Sequence, residues 1–285
     1  MKVSEALRQG DPTLSFEFFP PRTPEQEERL FATVKELKRF EPDFVSVTYG
    51  AMGRTREKTA HWVKEIKDKF QIEPVAHLTC VNASRAEIAR QLDEFEALGV
   101  GNILALRGDP PEGEKDFVPP ADGFKLASEL VAFIKTRKPR FCVGVAGFPE
   151  GHPKAPDLKT DITYLKQKID AGAEYVITQL FFDNQHYFAF LKRCRAAGIN
   201  VPVIPGLMPI SSLGQIKRMT QTCGATIPPE LLARLEKYPV ETLKIGGQHA
   251  LAQAQGLLAA GVPGLHFFVL NQSEPIASIL SQIES

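Results

Sequence analysis

The sequence predicts one α/β domain over residues 1–285, a (β/α)8 TIM barrel with extra helices in the connection before the eighth strand. Two observations carry this. Eight β-rich runs alternate with helix-like stretches, near residues 14–19, 43–48, 74–79, 102–107, 141–146, 174–180, 202–206 and 264–270. Strict alternation implies parallel strands joined by right-handed crossovers, and eight such units at this length indicate a closed barrel. The second observation is a repeated handover from helix to strand through glycine: "ALGVGNILALR", "DAGAEYVITQL", "AAGINVPVIPG" and "AAGVPGLHFFVL". Gly99, Gly172, Gly198 and Gly261 stand where a positive φ ends a helix most easily. A doubly wound open sheet is the rival arrangement.

The elements follow in order. After "LSFEFF" comes an amphipathic stretch at 25–39, and Pro42, Pro74 and Pro139 punctuate the entries to "DFVSVTY", "VAHLT" and "FCVGVA". Further helices are expected at 85–98 and 158–171. The seventh connection is long and carries helices near 211–222, 228–237 and 240–260. No break in composition divides the chain.

Composition narrows the function. The 285 residues are 43% hydrophobic and 24% charged, with 34 Lys+Arg against 34 Asp+Glu. A balanced charge gives no field for nucleic acid or an anionic membrane surface. Small-molecule chemistry is therefore expected. Cys80, Cys142, Cys194 and Cys223 are widely spaced, "MKVSEALRQG" lacks the apolar core of a secretory signal, and no apolar run is long enough to span a membrane. These features suit a reducing cytoplasm.

In such a barrel, chemistry gathers at the C-terminal ends of strands, where the loops converge. The strands finish with polar groups: Ser15 and Glu17, Ser46 and Thr48, His77 and Thr79, Arg107-Gly108-Asp109, Thr178-Gln179, and Asn271. Alternation turns Ser15 and Glu17 one way and Phe16 and Phe18 the other. Glu17, desolvated among aromatic residues, is expected to have a raised pKa and to donate a proton near neutral pH. Its structural alternative is an ion pair with Arg107 inside the barrel. His77 has the alternative of a core histidine, Asp109 that of a turn former before Pro110-Pro111, and Arg107 and Gln179 those of scaffold residues. Other chemistries lack their motifs. "GVGNIL" misses the third dinucleotide glycine and lies in the wrong order, and there is no Walker loop, H-E-x-x-H or G-x-S-x-G. The six histidines have no metal-ligand spacing, so no metal site is expected, and no lysine at a strand end supports a Schiff base.

The segments "SFEFFPP", "FVSVTYGA", "AHLTC", "LALRGDPP", "GFPEGHP", "ITQLFFD", "PGLMPI" and "HFFVLN" stand in the order seen in methylenetetrahydrofolate reductase. The resemblance spans about residues 14–275 and is similar to the short bacterial type. It implies a (β/α)8 barrel holding FAD, with NADH or NADPH and folate using one site in turn, so that no Rossmann motif is needed. It implies that Glu17 is the general acid that assists opening of the methylene bridge. Asp109 is then the carboxylate near flavin and pterin, whose charge favours a cationic iminium and disfavours an anionic reduced flavin. Gln179 matches a glutamine that hydrogen-bonds folate and nicotinamide alternately.

By the same resemblance, FAD contacts fall on Thr48, Tyr49, Ala51, His77, Arg107, Gly108, Asp109, Ala127, Phe148, His152, Ala155, Asp161 and Lys168, with Tyr164 and Gln167 as further positions. Folate or nicotinamide contacts fall on Ser15, Glu17, Thr48, Asp109, Gln179, Gln215, Met219 and Gln272. Arg107 and Lys168 would offset the pyrophosphate charge. Three positions depart from the family: Phe148 stands where Tyr is frequent, Met219 replaces a stacking aromatic, and Gln272 replaces a basic residue after "LN". The resemblance also implies a homo-oligomer, and it leaves open a protein partner that delivers electrons. Competing readings are a flavin barrel of proline dehydrogenase type and a barrel that binds folate or flavin without catalysis. "SFEFFPP" and "RGDPP" weigh against the first, and the joint presence of Glu17 and Asp109 against the second.

Overall fold

A computed structural model describes residues 1–48, 56–108 and 118–283, with backbone alone for 56–58. A short helix α1 (Val3–Ala6) precedes β1 (Thr13–Phe18), α2 (Pro24–Lys38), β2 (Phe44–Val47), α3 (Arg56–Phe70), β3 (Glu73–Thr79), α4 (Arg85–Ala97) and β4 (Asn102–Leu106). Then come α5 (Ala127–Arg137), β5 (Cys142–Gly147), α6 (Leu158–Asp170), β6 (Tyr175–Thr178) and α7 (Asn184–Ala196). The chain ends with β7 (Val203–Ile204), β8 (Gly206–Leu207), three helices α8 (Leu213–Cys223), α9 (Pro229–Lys237) and α10 (Thr242–Ala259), β9 (Gly264–Phe268) and α11 (Ile276–Ile283).

Among the described residues the strands of the sheet pair in parallel, in the order β7-β6-β5-β4-β3-β2-β1-β9-β8. The segment expected as one strand at 202–206 is divided at Pro205, which cannot donate to a ladder. Its first half pairs with β6 and its second with β9, while the Pro205 carbonyl accepts from the His266 N–H at 3.0 Å. Two short strands thus act as the seventh stave, and the sheet closes as the eight-unit pattern predicts. The long seventh connection carries its three helices, and Gly99, Gly172, Gly198 and Gly261 have φ of 69°, 113°, 75° and 72°.

Period-two alternation sorts the side chains into two cores. Phe16, Phe18, Val45, Ile103 and Val143 face outward and pack with helix residues such as Leu30, Ile88 and Leu130. Phe44, Val75, Leu104, Cys142, Tyr175 and Ile204 fill the barrel interior together with Val3. Helix α1 closes the floor: the Val3 N–H donates to Asn102 Oδ1 at 2.9 Å, and Val3 is fully buried. Polar side chains on several helix N-termini satisfy the first free N–H groups, as with Thr23 to Gln26 and Ser84 to Glu87. Among the described residues no helix is long and apolar enough to cross a membrane.

Candidate active site

The inward positions of β1, β2, β3 and β9 converge near the open end of the barrel. Glu17, 8% exposed, is paired with His77 Nε2 at 3.3 Å and His266 Nε2 at 3.7 Å, both on its Oε2. Ser46 Oγ donates to the same oxygen at 3.4 Å. Ser15, fully buried, lies 2.8 Å from His266 Nδ1 and donates to the Leu265 carbonyl at 3.2 Å. Phe44 stacks on the His266 ring at 6.3 Å and Phe268 meets its edge at 5.4 Å.

This geometry corrects the expected electrostatics. Phe16 and Phe18 do face away, but they belong to the outer core and leave Glu17 among imidazoles. Burial by itself raises the Glu17 pKa. The charge of His77, the close approach of the His266 and His77 ring nitrogens, and the charge of His266 outweigh it and hold the carboxyl at about 2. Its ion-pair partners are these histidines rather than Arg107, which follows β4 half-buried and whose charge acts on Cys80.

A second group forms after β5. The Phe148 ring meets His152 edge-on at 4.6 Å, and the Ala155 N–H donates to the His152 carbonyl at 2.8 Å. The backbone of His152 also hydrogen-bonds Asp161, so the loop is tied to the first turn of α6. Asp161 and Lys168, seven positions apart, share one face of that helix. Burial raises the Asp161 pKa while the charge of Lys168 opposes the rise. Burial lowers Lys168 to about 8 despite the charge of Asp161, and its Nζ donates to the Ala146 carbonyl at 2.6 Å. Tyr164 and Gln167 lie exposed on α6.

The other expected residues are spread around the mouth. Thr48 follows β2, and its N–H donates to the Phe18 carbonyl. Gln179 follows β6 and lines a concavity with Phe148, Glu150, Leu180, Cys223 and Ala225. Gln215 and Met219 lie on α8, the first beside Met208 and Leu270 in another concavity, the second packed against a satellite apolar cluster. Ala127 opens α5, and Gln272 is exposed after β9. Tyr49, Ala51 and Asp109 lie outside the described residues.

The residues present suit a flavin dinucleotide. Its pyrophosphate calls for cations, which Arg107 and Lys168 offer beyond β4 and β5. Its ring calls for polar partners, and Thr79 Oγ1, at the end of β3, is buried with no hydrogen-bond partner among the described residues. Gly108, at φ +84°, lets the chain turn tightly against Thr79 and Val81. His266 is the site residue that sequence reasoning missed. The signal was present in "GLHFF", where the same alternation used for Glu17 turns residues 264, 266 and 268 inward.

Fold and site together define a parallel α/β barrel with an ionisable cluster at its mouth. The methylenetetrahydrofolate reductase family matches residues 2–284. The chain is 38% identical over 277 residues to the 5,10-methylenetetrahydrofolate reductase of Escherichia coli, covering 96% of this chain and 91% of that protein. It is 38% identical over 295 residues to methylenetetrahydrofolate reductase (NADH) 1 of Arabidopsis thaliana, covering 99% of this chain and 50% of that one. The chain thus spans about half the length of its plant relatives. A Clostridium thermocellum protein described as binding two copies of 5-methyl-5,6,7,8-tetrahydrofolic acid shares the fold at TM-score 0.64 and 19% identity, with 99% and 98% of the two chains covered. The chain belongs to the methylenetetrahydrofolate reductase family.

Proposed function

We propose that the protein reduces 5,10-methylenetetrahydrofolate to 5-methyltetrahydrofolate with NADH or NADPH through FAD, nicotinamide and folate occupying the mouth in turn. The observation that carries this reading is Glu17, a nearly buried carboxylate at the mouth with two histidines on one oxygen. When bound, FAD supplies hydride transfer. Arg107, Lys168 and Thr79, with Thr48, Tyr49, Ala51, His77, Gly108, Ala127, Phe148, His152, Ala155 and Asp161, would hold it.

The chain's own contribution is acid–base and electrostatic. The methylene carbon accepts hydride well only after its bond to N10 opens, which leaves a cation at N5 and requires a proton at N10. Glu17 delivers that proton, and because its resting carboxyl is ionised at neutral pH the proton reaches it through the imidazoles on its Oε2. Asp109 favours the cation by its charge, and Gln179, which carries both donor and acceptor atoms, serves folate and nicotinamide alike. Ser15, Gln215, Met219 and Gln272 complete the proposed substrate set. The family resemblance extends the proposal to a homo-oligomer working in the cytoplasm.

The test is anaerobic. Purified holoenzyme is reduced with NADH or NADPH separately, then exposed to methylenetetrahydrofolate, with flavin absorbance followed throughout. Glu17→Gln is expected to keep FAD reducible and to slow oxidation by folate roughly 10²–10⁴-fold. Protein that binds no FAD, or reduced protein that folate does not reoxidise, overturns the reading. If the variant keeps FAD but loses both half-reactions, Glu17 has another role.

A further inference from the structure

Glu150 belongs to the segment "GFPEGHP" yet has no part in the reaction as proposed. Its carboxylate reaches the turn between α8 and α9, where the Thr226 N–H donates to Oε1 and Oε2, both at 3.1 Å. His186 Nε2, on α7, lies 3.5 Å from Oε2. The Glu150 side chain is 11% exposed, so solvent screens these contacts little, and a charged acceptor takes the N–H more strongly than a neutral one. Burial raises the Cys223 pKa and the Glu150 charge adds to the rise, which puts the carboxylate near the last residue of α8.

The two ends of this bridge differ in how firmly they are held. On the loop side, Arg193 of α7 donates to the Pro149 carbonyl at 2.7 Å and the Gly151 N–H donates to the Phe148 carbonyl at 3.0 Å, both independently of the Glu150 side chain. On the helix side, Gly224 ends α8 at φ +75° with its own N–H on the Thr220 carbonyl, and the chain runs on through Thr226 into α9. The other tie between these helices, Lys217 to Glu236 at 2.6 Å, is an exposed ion pair of little strength. A fixed loop thus anchors the end of a less firmly fixed helix. That end matters, because Cys223 and Ala225 line one concavity with Gln179, and Met219 lies one turn before Cys223 on the same face.

We propose that Glu150 is a positioning residue of the substrate site: from the loop of Phe148 and His152 it holds the C-terminal end of α8, and with it Met219, at a set distance from Gln179. This deepens the reductase reading and rests on it, since Gln179 and Met219 are contacts that reading gives to folate and nicotinamide. Reach rather than charge is what the position requires. Glu150→Gln keeps the length and one carbonyl oxygen for the Thr226 N–H, and its amide can turn to suit. Glu150→Asp keeps the charge but is one methylene short, which stretches the contact beyond hydrogen-bond length.

The experiment compares wild-type holoenzyme with Glu150→Asp and Glu150→Gln by steady-state kinetics, with NADH or NADPH as donor, by FAD titration and by amide hydrogen exchange. Glu150→Asp should raise the KM for methylenetetrahydrofolate roughly tenfold, the scale of one lost charge-assisted hydrogen bond, with kcat within about twofold and the FAD Kd unchanged. Glu150→Gln should keep KM within about threefold of wild type. The Thr226 amide should exchange slowly in wild type and in Glu150→Gln, and roughly tenfold faster in Glu150→Asp. Four results each overturn the proposal and leave the reductase reading intact: an unmoved KM in Glu150→Asp, a kcat and FAD affinity that fall along with it, equal impairment in Glu150→Gln, or an unprotected Thr226 amide in wild type. Wild-type holoenzyme that turns over no methylenetetrahydrofolate overturns the reductase reading itself, and Thr226 exchange then judges the bridge alone.

Discussion

Lys168 shows how one side chain can be poised for a ligand. A half-buried amine loses part of its hydration, and this desolvation lowers Lys168 to about 8. The Ala146 carbonyl takes one of its three protons, and two remain for a ligand. Lys168→Met should weaken FAD affinity roughly tenfold or more, as expected for a lost charge-assisted hydrogen bond. FAD titration followed by fluorescence measures it, and an unchanged Kd would remove Lys168 from the cofactor site. The placing of Asp161 and Lys168 on one helix face was legible in the sequence once the family resemblance had singled them out, since spacing along a helix fixes a shared face. The neighbours of Glu17 were not. His266 lies 249 positions away and reaches Glu17 only through closure of the barrel, a contact that local periodicity cannot encode.

At the scale of elements, closure depends on the broken stave. Gly206 sits where β8 meets β9, and a Cβ there would lie 2.3 Å from the Thr178 carbonyl and 2.7 Å from the Phe268 ring. Gly206→Ala should destabilise the fold by roughly 1–3 kcal/mol, the range for overpacking a tight interior. It should also displace Phe268 from the His266 edge. Gly101→Ala is the control: nothing lies within 4 Å of its Cβ, so stability should change by less than about 0.5 kcal/mol. Urea midpoints decide between them, and equal losses would contradict the packing argument. Glycine turns and amphipathic spacing made the helices and most strands readable. The division at Pro205 was less so, because "VPVIPG" has the composition of one strand and its two halves are separated by the partners they find.

For the whole molecule, the buried cluster links stability to pH. The Glu17 carboxyl lies at about 2 in the folded chain against an ordinary 4.5, so the unfolded chain takes up the proton first. Its contribution, on the order of 3 kcal/mol, is present above pH 4.5 and is lost as pH falls through about 2. Denaturant unfolding at neutral pH and near pH 3 should show a smaller acid loss in Glu17→Gln than in wild type; parallel losses would refute the linkage. The architecture is legible in the sequence because eight units repeat one local grammar, whereas the proton balance at the mouth depends on side chains gathered from distant strands. The floor adds a last consequence. With Val3 packed beneath the strands and tied to Asn102, the described residues close the floor of the barrel, so the proposed alternation of nicotinamide and folate would take place wholly at the opposite end.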